Sequence, residues 1–371
     1  MKKKIFLDYA ATTPIRDEVA DVIVDAYRNK SPLELSLSEM RKAKANIATL
    51  IGCEHSNLYL TACGSESNNV LINTIVKLLP EDKKHIMTSE IEHPSVLNVF
   101  KQLERSGFEV SYLKVDSNGT IRLDEFYRRV NERTGFVSTL FYNNEIGTRQ
   151  PIEKMGRYLE ERHIFFHVDG VQAVYNEVFN VSDLPVDAMS FSAHKLYGPK
   201  GIGGLYVKSS EGGLRGTLKL GFPYSDYSSE LIFSENIPYL FGFGKACELA
   251  YKDREAHIEY LDTLKTHLIR ALLSLEGGIQ INAMNPDNHP GIVNFRFPKM
   301  DADSAVINLD MMGFAVSTGS ACSSGAVSAS HVLLALGLKE KEAKRCIRVS
   351  LGHFTTEEDI DQFASALKAL V

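Results

Sequence analysis

MSFSAHKLYGPKGIGG, residues 189–204, carries the reading of this chain. A hydrophobic run over 186–191 reads as a strand and stops abruptly at Ser192-Ala193-His194-Lys195. The turn Gly198-Pro199-Lys200-Gly201 follows, then a second short strand over 203–207. One lysine therefore stands at the end of a buried strand, beside a histidine. Partial burial there favours the neutral amine, the form that makes a Schiff base with a carbonyl. A lysine in a turn is by itself an ordinary surface residue, so Lys195 acquires meaning only from its surroundings.

Those surroundings are the length and balance of a globular enzyme. With 371 residues the chain suits two domains, one of them large. Hydrophobic residues make up 44% and charged residues 24%, which is ordinary for a globular protein. A net charge of −6 argues against nucleic-acid or membrane partners. The opening MKKKIFLDYA has too short an apolar run for a signal peptide, and no stretch approaches a bilayer span. The five cysteines contain no CxxC pair, which argues against a disulfide framework or a metal site and for a reducing, cytoplasmic setting.

Outward from 189–204 the chain alternates strand and helix as a parallel sheet with covering helices requires. Strands are expected at 58–61, 85–89, 110–115, 135–142, 164–168 and 186–191. Helices are expected at 16–30, 36–50, near 64–79, 94–105, 124–130 and 152–162. Glycines and a Tyr/Ser-rich run break the pattern over 209–240, and a long helix is expected over 244–275. A second unit follows, with a strand near 291–297, a helix near 303–311, the small-residue loop 317–325, a strand at 346–350 and a terminal helix. The expected division is an arm at 1–15 packing with the small domain, a large domain at 16–245 and a small C-terminal domain at 246–371.

Several strands end in polar residues. His93 lies shortly after one, and Asn144, Asp169 and Lys195 follow three others. Ligands of open α/β sheets bind at the carboxyl ends of strands, so these groups converge. Gly64-Ser65, between a strand and an apolar helix, offers N–H groups and the positive end of a helix dipole to a phosphate. The same pair is also an ordinary helix start. Ser192 and His194 complete such a cup. A carboxylate such as Asp169 at the end of an apolar strand needs a cationic partner, and a protonated ring nitrogen is one; capping of the next helix is the plainer alternative. His93 suits stacking on a flat ring, or a surface turn.

Eight stretches now fall in order: LDYAATTP (7–14), CGSESNN (63–69), SEIEHPSV (89–96), YNNEIG (142–147), HVDGVQAV (167–174), FSAHKLYGPKGIGGLYV (191–207), STGSACSSG (317–325) and IRVSLGHFTTEED (347–359). Together they resemble the class V aminotransferase family of pyridoxal 5'-phosphate (PLP) enzymes, and within it the cysteine desulfurases of NifS/IscS type. The resemblance runs from Leu7 to about Phe363. It implies an α/β fold, the PLP-dependent transferase fold type I, with a mainly parallel seven-stranded-type sheet and a smaller C-terminal α/β domain. It also implies the residue roles. Lys195 matches the lysine that binds PLP covalently, Asp169 the partner of the pyridine nitrogen, and His93 the ring-stacking histidine. Gln172 and Asn144 match residues that bond the phenolic oxygen, Asn144 also lying against substrate. Gly64, Ser65, Ser192 and His194 match the phosphate site, Arg348 the fork for the substrate carboxylate, and Cys322 the persulfide-forming cysteine. The implied activity converts L-cysteine, or a similar small amino acid, to alanine. A sulfur-acceptor protein, a role in iron–sulfur cluster assembly and a homodimer are implied with it.

The sequence departs from that family in three places. NKSPLELSLSEMRKA near residues 30–40 lacks the family's asparagine and histidine, and the family's RSGTEN is replaced by Leu231-Ile232-Phe233-Ser234-Glu235-Asn236. Ser234 retains the hydroxyl that in the family reaches the partner subunit's phosphate. Cys63 replaces a glycine and His353 an arginine. Two other readings accommodate these changes: a PLP-dependent lyase or aminotransferase with an altered entrance, such as a selenocysteine lyase, or a non-catalytic sulfur-transfer scaffold.

Overall fold

The structure, a computed structural model, describes residues 4–28, 37–208, 236–319 and 329–371. Its centre is a seven-stranded sheet in the order β2-β8-β7-β6-β5-β3-β4. These strands are Leu58–Thr61 (β2), His85–Ser89 (β3), Glu109–Leu113 (β4), Thr134–Leu140 (β5), Phe165–Asp169 (β6), Ala188–Ser192 (β7) and Gly203–Val207 (β8). Six run parallel, and β8 alone runs against its neighbours β2 and β7. The reversal has a local cause: the Gly/Pro turn after Lys195 returns the chain directly, with no helix to carry it across the sheet.

Both faces of this sheet are covered, and the strands show why. Ile86, Phe136, Phe165, Ala188 and Leu205 face one core, built with Leu71, Ile72 and Ile75 of α3 (Gly64–Leu78) and Val96, Val99 and Phe100 of α4 (Pro94–Arg105). Their immediate successors Met87, Val137, Phe166, Met189 and Tyr206 face the other, with helices α1 (Asp17–Arg28), α2 (Leu37–Ile51) and α6 (Ile152–Glu160). Apolar residues on both sides of the pleat explain why these strands read as continuous hydrophobic runs. Each fully buried phenylalanine contributes about 2–3 kcal/mol. The short helix α5 (Leu123–Arg129) packs at the margin through Phe126.

A long helix, α7 (Ile237–Leu273), joins this body to a second core. It begins seven residues before the expected 244. Asn236 caps it, its side chain accepting from the Tyr239 amide at 3.3 Å, with Pro238 in the first turn. Gly242 and Gly244 disguise that first stretch. Gly244 is required for close approach, because a Cβ there would lie 2.6 Å from the Ala43 Cα of α2. Further along, Leu261, Leu264, Leu268 and Leu272 form an apolar stripe at helical spacing in the second core.

That second core lies against the three-stranded antiparallel sheet β12-β10-β9, made of Gln280–Asn282 (β9), Ile292–Arg296 (β10) and Cys346–Ser350 (β12). Helices α8 (Ala302–Met312) and α11 (Glu357–Leu367) cover it, and α9 (His331–Ala335) and α10 (Glu340–Ala343) lead into β12. The N-terminal arm threads between the cores. Ile5–Phe6 (β1) pairs in parallel with Phe314–Ala315 (β11), and Asp8 bridges to Ser350. None of the described helices is long and apolar enough to cross a membrane.

Candidate active site

Five parallel strands deliver their carboxyl ends to one cavity of about 300 Å³. After β2 come Cys63, Gly64 and Ser65; after β3, His93; after β5, Asn144. Asp169 ends β6, with Gln172 behind it, and Ser192 ends β7, with His194 and Lys195 behind it. All of these line the cavity, and Arg348 of β12 closes it from the second sheet. Ten of the residues singled out from the sequence are thus brought together. Cys322 and Ser234 lie outside the described residues, as do most of the altered stretches near 30–40 and 219–237.

The phosphate end is built by close approach. The N-cap of α3, Cys63, makes no side-chain cap bond, so the first-turn N–H groups are not shielded by their own helix start. Gly64 must be glycine: a Cβ there would lie 2.5 Å from Val171 Cγ2. Ser192 Oγ is buried with no hydrogen-bond partner among the described residues, a cost that a phosphate oxygen would remove. His194 Nδ1 shares a 3.1 Å hydrogen bond with Thr12 Oγ1. Burial, then Lys195 and Lys200, push its pKa down to about 4, so the ring is a neutral partner at pH 7.

At the ring end Asp169 is held from two sides. Its Oδ2 accepts from Asn68 Nδ2 at 2.7 Å and its Oδ1 from the Val171 amide at 3.0 Å. Asn68 also donates to Ser95 Oγ at 3.0 Å, and Ser95 bonds His93 Nδ1 through its hydroxyl (2.8 Å) and its amide (3.1 Å). The amide donor makes Nδ1 the acceptor and leaves the neutral ring's proton on Nε2. Burial lowers the His93 pKa, with Lys195 and His331 adding to the shift and Asp169 opposing it. Asn68 thus links the carboxylate to the histidine. Asn68 stands within CGSESNN, where the resemblance implies no role for it. Its place one helical turn after Gly64, hence on the same face of α3, was the available signal.

Lys195 Nζ donates to the carbonyl of Ala11 at 2.8 Å and also bonds that of Ala10. Gln172 Nε2 donates to the same Ala10 carbonyl at 2.9 Å. The arm therefore positions the lysine through main-chain oxygens, which no sequence motif can display. Arg348 is 3% exposed. Its Nη1 donates to the Asn144 carbonyl at 2.8 Å and its Nη2 to Asp8 Oδ1 at 2.6 Å, while Nε has no partner among the described residues. His353, the second unusual residue, bonds Arg16 through Nδ1 at 3.1 Å and packs beside Tyr197. Among the described cysteines, burial pushes Cys53 up to about 12, Cys346 to about 11 and Cys247 well above the usual thiol range. Those three are poor thiolates; Cys63 lines the cavity.

An orphaned serine hydroxyl, a glycine-bounded helix start, a buried carboxylate and a lysine on one cavity fit a phosphorylated aromatic aldehyde. The comparisons agree with that geometry. The chain belongs to the class-V aminotransferase family, whose model matches residues 5–363, and that family depends on PLP. Over 381 residues it is 36% identical to the cysteine desulfurase IscS of Dictyoglomus turgidum, covering 100% of this chain and 95% of that one. It is 32% identical to a human cysteine desulfurase, covering 97% and 80%. Among solved structures, a NifS-like protein superposes with a TM-score of 0.86 at 30% identity, covering 99% of each chain. The SspA protein in complex with cysteine gives 0.76 at 30% identity, covering 95% and 100%. The fold is therefore the α/β type I fold expected from the sequence.

Proposed function

We propose that the chain is a PLP-dependent cysteine desulfurase that converts L-cysteine to L-alanine and carries the sulfur as a persulfide on Cys322. The observation that supports this reading most directly is the convergence of Lys195, Asp169 and Arg348, from two different sheets, on one cavity. Relatives named cysteine desulfurase match along the whole chain.

In this reading Gly64, Ser65, Ser192 and His194 hold the phosphate of PLP and Lys195 links to its aldehyde carbon. Asp169 pairs with its ring nitrogen, His93 stacks on the ring, and Gln172 and Asn144 bond its phenolic oxygen. When bound, PLP supplies an electron sink for negative charge on the substrate carbons. Arg348 receives the substrate carboxylate, its Nε, which has no partner among the described residues, offering a charged donor at a buried wall. Lys195 Nζ takes the α-proton and returns one, the carbonyls of Ala10 and Ala11 keeping the amine in reach.

Cys322 Sγ, as thiolate, attacks the sulfur of bound cysteine. An S–S bond forms and the C–S bond breaks, its electron pair staying on carbon, where a proton completes the methyl group of alanine. L-cysteine and the Cys322 thiol thus become alanine and the Cys322 persulfide, with no external oxidant or reductant. The persulfide then passes to an acceptor thiol. The acceptor is a protein, the enzyme works as a homodimer in which Ser234 reaches the second copy's phosphate, and the setting is the reducing cytoplasm.

The test is purified protein with PLP and L-cysteine, beside Cys322→Ala. Wild type is expected to yield alanine and reductant-released sulfide in equal amounts. Peptide mapping should find the added sulfur on Cys322 and not on Cys63. Cys322→Ala is expected to keep the absorbance of bound PLP and lose both products. Persistence of both products in Cys322→Ala, or a PLP-loaded wild type inert to cysteine, overturns the reading. Sedimentation of the loaded protein as a monomer overturns the dimer.

A further inference from the structure

A second, much smaller cavity of about 20 Å³ adjoins the ligand cavity. Ala10, Gln172 and Lys195 line both, and so stand between the two. They are joined at one atom, since the Ala10 carbonyl accepts from both Lys195 Nζ and Gln172 Nε2. Two histidines that the scheme above does not use also face the small cavity: His257 of α7, and His289 shortly before β10.

His257 is 5% exposed and His289 4%, and each has a buried ring nitrogen with no partner among the described residues: Nδ1 of His257 and Nε2 of His289. Neither ring is loosely held. His257 stacks on Tyr175 with centroids 4.1 Å apart and planes 7° from parallel. Tyr175 is itself fixed, its hydroxyl donating to Asp253 Oδ1 at 2.7 Å and accepting from Arg16 Nη2 at 2.8 Å. His289 Nδ1 accepts from the Gly291 amide at 3.0 Å, which places the neutral ring's proton on Nε2. The Gln172 carbonyl acts on this ring without meeting Nε2 in hydrogen-bond geometry. Burial keeps both rings neutral. It pushes His257 down to about 3, with His353 and Arg16 adding to the shift, and His289 well below the usual range, with Lys265, His257 and Lys195 adding.

Two unpaired buried nitrogens on one small cavity carry a cost that a shared polar occupant removes. The volume suits one water, which needs about 10–15 Å³ and two to four polar partners. Water accepts the Nε2 proton of His289 and pairs with Nδ1 of His257 in either tautomer, being both donor and acceptor. A phosphate or carboxylate is too large for the space. A metal ion finds no carboxylate or thiol on these walls, and no cluster of three metal-ligating side chains occurs among the described residues.

We propose that this cavity is a binding site for one ordered water, held by His257 and His289, and that the two histidines position Lys195 through it. The water backs the shared wall at Ala10 and Gln172. With it in place the Ala10 carbonyl keeps its direction, and Lys195 Nζ stays aligned for the α-proton. Without it the two nitrogens are left unpaired and the wall relaxes into the space. Neither histidine lines the ligand cavity, so they are positioning residues, separable from those that hold PLP. The inference rests on Lys195 as the lysine that moves the α-proton, and makes no use of Cys322.

The experiment compares wild type, His289→Phe, His289→Gln and His257→Phe as PLP-loaded enzymes; the last keeps a ring on Tyr175 but loses Nδ1. Three quantities are read: the water by high-resolution crystallography, exchange of the α-hydrogen of L-alanine in deuterated water, and bound PLP by absorbance. Wild type is expected to show one water within about 3.2 Å of both His257 Nδ1 and His289 Nε2. The two phenylalanine variants are expected to lose it and to exchange about tenfold more slowly, with PLP content within about twofold of wild type. His289→Gln is expected to keep the water and recover most of the exchange, since its side-chain amide still donates. A wild-type site without density for a water overturns the proposal, as does undiminished exchange in phenylalanine variants that lack it. His289→Gln that keeps the water yet exchanges as slowly as His289→Phe would mean that the ring merely packs, and overturns it too. Exchange uses neither Cys322 nor L-cysteine, so failure of the desulfurase reading shows separately, as a wild type that exchanges alanine but forms no persulfide.

Discussion

Arg348 Nη2 and Asp8 Oδ1 stand 2.6 Å apart, joining the N-terminal arm to the strand that faces the cavity. The arginine side chain is 3% exposed and the aspartate 19%, so the pair sits largely out of water. Asp8 neutralises a guanidinium whose other acceptor among the described residues is the Asn144 carbonyl. Asp8→Ala is expected to lower the unfolding free energy by about 2 kcal/mol, below the full value for a sealed pair because Asp8 keeps some water. Urea unfolding at neutral pH measures it. An unchanged midpoint would show that the arm does not support Arg348.

Asn68 connects Asp169 to Ser95 and His93, so its loss reaches both sides of the cofactor ring. Asn68→Ala removes a donor to a buried carboxylate and is expected to weaken PLP binding about tenfold. Titration of apoprotein with PLP, followed by absorbance, reads the change directly. Equal affinity in wild type and variant would leave Asn68 a packing residue.

What the sequence made legible follows from the kind of signal involved. Lys195, Asp169 and Ser192 were visible because apolar strands end abruptly in polar residues, a pattern imposed by burial on both faces of the sheet. Gly64 was visible because a strand, a glycine and an apolar helix follow in succession. Asn68 was not, since a polar residue inside a helix has many uses and only the fold brings it to Asp169. The carbonyls of Ala10 and Ala11 were invisible because main-chain acceptors carry no side-chain identity. The start of α7 was missed because Gly242, which lies against Ile23 of α1, and Gly244, which lies against Ala43 of α2, imitate a loop. Short strands such as β9 and β11 have too few residues to show a period.

His167 lies on β6 fully enclosed, with Nδ1 bonded to Ser138 Oγ and Nε2 to Ser190 Oγ, each at 2.9 Å. Burial pushes its pKa from 6.5 down to about 3. The folded protein keeps this ring neutral while the unfolded chain protonates it below 6.5. Its contribution to stability is therefore fully present above pH 6.5 and is lost as pH falls toward 3, by about 1.4 kcal/mol per pH unit. His167→Gln is expected to be less stable at pH 7.5 and to show a shallower acid decline between pH 6 and 4. Parallel curves of stability against pH for the two proteins would contradict the assignment.

Glu92 reverses that sign. It lies fully buried beside Asp169; Ser89 Oγ donates to its Oε1, and its Oε2 has no partner among the described residues. Burial raises its pKa from 4.5 to about 8, and the charge on Asp169 adds to the shift. The folded protein keeps the carboxyl protonated through neutral pH, whereas the unfolded chain releases the proton above 4.5. Its contribution is present below pH 4.5 and is lost as pH rises to about 8, by about 1.4 kcal/mol per pH unit. A neutral Glu92 also leaves Asp169 without a second negative charge against it, which suits a carboxylate whose partner is a ring cation. Glu92→Gln removes the titration while keeping the acceptor for Ser89. The variant should therefore gain on wild type steadily between pH 5 and 8, with the gap levelling above 8. Unfolding measured at pH 5, 6.5 and 8 gives the three points required. A gap that stays constant across them would mean that Glu92 is ionised in the fold and that Asp169 shares its surroundings with another charge.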